Sequence, residues 1–199
     1  MTDTYMHVWK LTLDEYNTIL ANGGVTKLQK IMFKLFGTSC RYMTRKDKKN
    51  KVMRIIIKSI HEKHMRNIKV GTITPRGLWD YVEKKVGERV AFIVDYVETD
   101  DYRNFLTTHD EDEVFSVFVN KQEKYGIDAE SFRLFGIRKI TTMGCTYFSY
   151  RLYIIATVTN EELYNRMLKN GIGRKRSYGN GLVSVGADPL EYDDDDILE

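Results

Sequence analysis

The chain has 199 residues, 42% hydrophobic and 30% charged with only two prolines, which excludes a disordered polymer and leaves room for one large domain or two small ones. Its two cysteines, Cys40 and Cys145, have no metal-ligand spacing, so free thiols in a reducing cytoplasm, with no zinc and no cofactor, are expected. The formal net charge of +3 conceals an asymmetry: seven of the 28 acids lie in residues 188–199, and the remainder carries 31 Lys and Arg against 21 acids, an excess of ten.

A body this basic favours a polyanion, although a solvated lysine-rich surface reads the same way on charge alone. Within residues 41–69 there are eleven Lys and Arg and two acids, Asp47 and Glu62. No apolar run approaches the roughly 20 residues that span a bilayer, so no membrane partner is expected. Met1-Thr2-Asp3-Thr4 lacks the basic start of a secretory signal, and a cytoplasmic location is expected.

In chain order, residues 5–12 alternate Tyr5, His7, Trp9 and Leu11 against Met6, Val8, Lys10 and Thr12, the period of a strand. Residues 14–21 suit a short helix stopped by Gly23-Gly24. The stretch 25–36 is amphipathic, with Leu28, Ile31, Met32 and Leu35 on one face and Lys27, Lys30 and Lys34 on another. Two strands, 39–45 and 51–59, flank a polar turn and would project a basic tip bearing Arg45, Lys48 and Lys49. A further strand at 70–74 ends before Pro75, and 77–85 reads as a short helix or loop.

The pattern then restarts. Residues 89–98 form a strand, Asp110 followed by Glu113 opens a helix running to Tyr125, and 132–142 and 146–158 are strands. A helix over 161–169 and a short strand at 182–185 complete the series. The order β-α-β-β then β-α-β-β-α-β predicts an α+β chain of tandem ferredoxin-like domains. Their expected bounds are 1–87 and 88–187, with an acidic, solvated tail over 188–199.

The most informative segment is Gly171-Ile172-Gly173-Arg174-Lys175-Arg176-Ser177-Tyr178-Gly179-Asn180-Gly181-Leu182. Gly171, Gly173, Gly179 and Gly181 permit tight turns, positive φ and close approach of backbone to phosphate. Arg174, Lys175 and Arg176 add Coulomb attraction, and Tyr178 offers a face for base stacking. A dinucleotide fingerprint is excluded because this loop follows a helix and precedes a strand. A flexible basic loop without a partner is the plainer alternative.

This helix, Gly-Ile-Gly, basic stretch and Gly-x-Gly-Leu resemble the C-terminus of the CRISPR repeat-cleaving endoribonucleases of the Cascade (type I-E) system, members of the RAMP superfamily. Arg176 falls where that family has a basic residue, and the segment from Lys27 to Phe36 is similar to the family's first helix. The resemblance implies an RNA hairpin on a basic face and cleavage without metal. In that chemistry the ribose 2′-OH attacks the adjacent phosphorus and leaves a 2′,3′-cyclic phosphate, often with a histidine as acid and base.

By this alignment the family histidine falls at Gln29, which cannot accept a proton near neutral pH. Lys27 and Lys30 beside it, and Tyr16, are the remaining candidates. His7 reads as packed or surface, His61 and His64 as a surface pair, and His109 as exposed; Trp9, Trp79, Phe115 and Phe118 read as core. Three readings follow: a metal-independent endoribonuclease acting on a CRISPR repeat or another structured RNA such as a transfer-RNA precursor or messenger, an RNA-binding module or CRISPR-RNA competitor that has lost its base, and a protein-binding role. The partners expected are structured RNA and a CRISPR ribonucleoprotein complex, with a monomer when alone.

Overall fold

The computed structural model describes residues 4–47, 49–63, 68–78, 83–99, 104–142 and 145–186. Lys48, His64, Trp79 and the acidic residues from 188 onward lie outside the described residues. The chain divides into two compact units, one of Met1–Asp80 with Thr141–Cys145 and Ser177–Gly179, the other of Tyr81–Ile140, Thr146–Arg176 and Asn180–Glu199.

The first unit contains β1 (Tyr5–Thr12), α1 (Leu13–Ala21), α2 (Gly24–Phe36), β2 (Arg41–Asp47), β3 (Val52–Ser59) and β4 (Thr72–Leu78). Its sheet has the order β2-β3-β1-β4, with antiparallel neighbours. The alternation in β1 buries His7, Trp9 and Leu11, and the register sets Trp9 opposite Ile55 and His7 opposite Ile57. On this face α2 lays Leu28, Met32, Leu35 and Phe36, each worth about 1.5–3 kcal/mol of burial. Thr12 closes β1 and caps α1 through a capping box with Glu15.

Strand β4 does not stop at Pro75, contrary to the sequence expectation, but runs on to Leu78. It lies at the sheet edge, and its register with β1 shifts between Met6 and His7, where His7 faces Pro75. A residue without an N–H is tolerated at an edge or bulge because no ladder bond is lost there.

The second unit contains β5 (Arg89–Tyr96), α3 (Glu111–Val119), all of β6 (Ile127–Thr142) and β7 (Cys145–Val158) but the ends that fall in Thr141–Cys145, α4 (Glu161–Asn170) and β8 (Ser184–Val185). Its sheet order β6-β7-β5-β8 is that of a ferredoxin-like domain. The tandem ferredoxin-like α+β class expected from the sequence is the observed one. Phe92, Val94 and Tyr96 of β5 share a core with Leu152, Ile154 and Ala156 of β7 and with Val114, Phe118, Tyr164 and Leu168 of the two helices. On the opposite face Ile93 packs with Phe135 and Tyr153.

The helix expected to reach Tyr125 ends at Val119 and continues as a 3-10 turn over Gln122–Tyr125. The break is set by Lys121, whose N–H bonds back three residues to Phe118. Asp110 does cap α3, accepting from Asp112 N and Glu113 N, but its own N–H is bonded by Thr108 Oγ1. Strand β6 begins at Ile127 and not near residue 132; Gln122 and Glu111 side chains accept from Ala129 N and Leu134 N of this edge strand.

Candidate nucleic-acid interface

The glycine-rich loop is a tied structure fastened to the end of β5. Gly171, Gly173, Gly179 and Gly181 all have positive φ, between 68° and 87°. A Cβ on Gly173 would stand 2.6 Å from the Val97 carbonyl oxygen, and one on Gly181 would point directly onto that of Ile172. Gly179, which groups with the first unit, lies 2.6 Å by the same measure from the Tyr42 ring. These glycines allow backbone to meet protein at close range.

The loop amides are committed in the same way. Gly171 N bonds Met167 O, Ile172 N bonds Gly181 O, Gly173 N bonds Tyr125 Oη, Arg174 N bonds Val97 O and Gly181 N bonds Asp95 O. Those five donors are spent on protein acceptors. Buried Asn180 ties the far side, accepting from Ser149 Oγ at 2.7 Å and donating to Lys175 O at 3.3 Å.

Each cation of the basic run has its own anchor. Arg174 Nε donates to Glu98 Oε1 at 3.3 Å while 59% of its side chain stays exposed. Lys175 adopts φ 53°, uncommon for a side-chain-bearing residue, and sets Nζ 5.0 Å from the Phe105 ring centroid and 5.5 Å from that of Tyr147. Arg176 Nη1 donates to Asn170 O at the C-terminal end of α4, the negative end of the helix. Tyr178 is half-buried at the end of the 3-10 turn Arg176–Tyr178.

Glu98 was not among the sequence candidates. Its side chain is 7% exposed and lies between Arg174 and Lys121, whose Nζ stands 3.5 Å away. It also accepts from Tyr96 Oη and Thr99 N. Burial pushes the Tyr96 phenol well above its ordinary value, and burial also raises Tyr125. An acid closing the expected strand over 89–98 was the only sequence signal, and its partner stands 76 residues away.

The sequence-predicted residues of the first unit are placed differently. Lys27 and Lys30 are exposed on α2, one turn apart, and Gln29 between them is half-buried. Tyr16 is 8% exposed and belongs to the apolar core. Arg45 is half-buried on β2, opposite Arg54, and Lys49 is exposed in the turn after it. That turn is held by Asp47, which accepts from Asn50 and pairs with Arg54; the Asn50 bonds foremost hold its carboxyl below the usual range.

His7 is buried, 2.9 Å from His61 O through Nε2 and 5.0 Å ring to ring from Phe36. The His61 ring lies against Gly37, at the end of α2, eight positions and about 12 Å of helix beyond Gln29.

The fold defines the class: paired split βαβ units of ferredoxin type, the second closed by a glycine-rich basic loop. The chain belongs to the CRISPR associated protein family, whose model matches residues 10–186. It is similar in structure to the Thermus thermophilus Cse3 bound to an RNA representing a pre-cleavage complex, with a TM-score of 0.76 at 12% identity over 93% of this chain and 100% of that one. The CRISPR-associated protein Cas6e from Escherichia coli K-12 matches with a TM-score of 0.66 at 14% identity, covering 92% and 98% of the two chains. A subunit of a CRISPR RNA-guided surveillance complex matches with a TM-score of 0.60 at 13% identity over 91% and 98%. No curated protein sequence matches the chain. Among the described residues no helix is long and apolar enough to cross a membrane.

Proposed function

We infer that this protein binds a hairpin-containing CRISPR repeat RNA and processes it as an endoribonuclease, alone or within a CRISPR ribonucleoprotein. The observation that carries the reading is the anchored cationic loop of the second unit in a chain of this family. Structures of the same fold include endoribonucleases bound to RNA. Arg174 and Arg176, exposed beyond their anchors, fit phosphate oxygens, and Tyr178 fits a base.

The reaction proposed is transesterification without metal. The 2′-oxygen attacks phosphorus, the bond from phosphorus to the 5′-oxygen breaks, and a 2′,3′-cyclic phosphate remains. The 2′-OH gives up its proton to water, and water returns one to the 5′-oxygen as it leaves. Lys27 and Lys30 are suited to neutralise the phosphorane charge, and Gln29 to orient the phosphate by hydrogen bonding.

A second reading, binding without cleavage, is favoured by Gln29 itself and by Tyr16, whose ring is buried in the core. Labelled hairpin and transfer-RNA substrates incubated in EDTA distinguish the two. Products ending in cyclic phosphate, lost in Lys30→Ala, support the enzyme. Tight binding of RNA that stays intact establishes the binding module.

A further inference from the structure

We propose that Glu98 is a positioning residue: its buried carboxylate holds the Nε side of Arg174 and so presents the guanidinium's Nη edge to one phosphate of a bound RNA. This rests on the RNA-binding reading above and deepens it.

A guanidinium has two donor edges, one of Nε with an Nη and one of the two Nη groups. Glu98 Oε1 takes Nε at 3.3 Å, while more than half of the Arg174 side chain is exposed. The edge left for an anion is therefore the paired Nη edge, whose spacing matches two phosphate oxygens. The main chain fixes the same residue, because Arg174 N bonds Val97 O at 2.6 Å. Successive residues at the exit of β5, Val97 and Glu98, thus hold the backbone and side chain of one arginine.

The carboxylate cannot leave this arrangement cheaply. It is buried, and an ionised carboxyl out of water needs its partners. Thr99 N at 3.0 Å and Tyr96 Oη at 3.3 Å hold its two oxygens in place, and Lys121 supplies a second positive charge. Lys121 in turn is tied to Thr99 O at 2.8 Å. The result is an arginine preset from the exit of β5, with part of its rotamer freedom already given up before binding. A lysine at 174 has a single ammonium and cannot present separate edges to carboxylate and phosphate.

The test is the affinity of full-length wild type, Glu98→Gln, Arg174→Ala, Arg174→Lys and Glu98→Gln/Arg174→Ala for a labelled repeat hairpin, read across a salt series. Thermal unfolding is followed in parallel. Glu98→Gln should weaken binding about tenfold, one charge-assisted phosphate contact, and flatten the salt slope by about one counterion. Arg174→Ala should do the same, and the double variant should be no weaker than Arg174→Ala alone. Arg174→Lys, at an exposed side chain that does not threaten folding, should lose nearly as much as Arg174→Ala. Additive losses, a Glu98→Gln protein that binds as well as or better than wild type, or an Arg174→Lys protein that binds normally overturns the inference. If Glu98→Gln does not fold, Arg174→Lys decides it. Wild type that shows no salt-dependent hairpin binding overturns the RNA reading, and this inference with it.

Discussion

Gly181→Ala tests whether the loop glycines are there for close packing of backbone. A Cβ at this position points onto the Ile172 carbonyl oxygen and within 2.9 Å of Arg176 Cγ, at a φ of 75°. The conformational cost alone is about 1–3 kcal/mol. Relieving the clash must also stretch the bonds from Ile172 N to Gly181 O and from Gly181 N to Asp95 O, each worth about 0.5–1.5 kcal/mol. The sum is about 2–6 kcal/mol, or a fall in Tm of roughly 4–24 °C at about 2–4 °C per kcal/mol for a two-state chain of this length. Gly87→Ala is the control, since its φ is 86° and nothing lies within 4 Å of its Cβ position. It carries the conformational cost without the clash. Thermal unfolding by circular dichroism of both variants should therefore show the larger drop for Gly181→Ala. Equal drops, or a Gly181→Ala protein that melts with wild type, refute the close-packing argument.

Asp95→Ala leaves Arg151, with an 11% exposed side chain, without a carboxylate that holds it at 2.8 Å; urea unfolding should show a loss of about 3–5 kcal/mol. The raised proton affinity of Tyr96 makes its contribution to stability complete below its ordinary pKa of 10.0 and progressively lost as pH rises toward the folded value. Tyr96→Phe should start less stable and decline less steeply in unfolding titrations from about pH 9 to 11. Burial pushes the Cys40 thiol up to about 12, so thiol labelling at neutral pH should modify Cys145 first and reach Cys40 only on unfolding.

Much of the fold was written in local patterns. The alternation of β1, the heptad-like face of α2 and Asp110 before α3 each encode their element through near neighbours, and all three hold in the structure. Pro75 misled because its meaning depends on being at an edge, which only the assembled sheet order decides. The early start of β6 likewise goes with side chains, Gln122 and Glu111, that accept from amides of the strand, pairings that no turn or periodicity signal in the sequence marks.

The loop was legible in composition, and its internal bonding was not. Its glycines and cations stand out in the sequence, but their partners, Asp95, Val97, Glu98, Phe105 and Tyr147, come from distant stretches. Spacing along the chain gives no sign of them. Tyr16 carries the same lesson in reverse: a phenol offered by the sequence as a proton carrier is a core side chain in space.

The most direct measurement is the salt dependence of repeat-hairpin affinity for wild type and for the Arg174/Lys175/Arg176→Ala triple variant. The triple variant should bind weakly, with a slope of log affinity against log salt shallower by about 0.7–0.9 for each phosphate contact removed. A triple variant that is folded and reproduces the wild-type affinity and slope contradicts RNA binding by this loop.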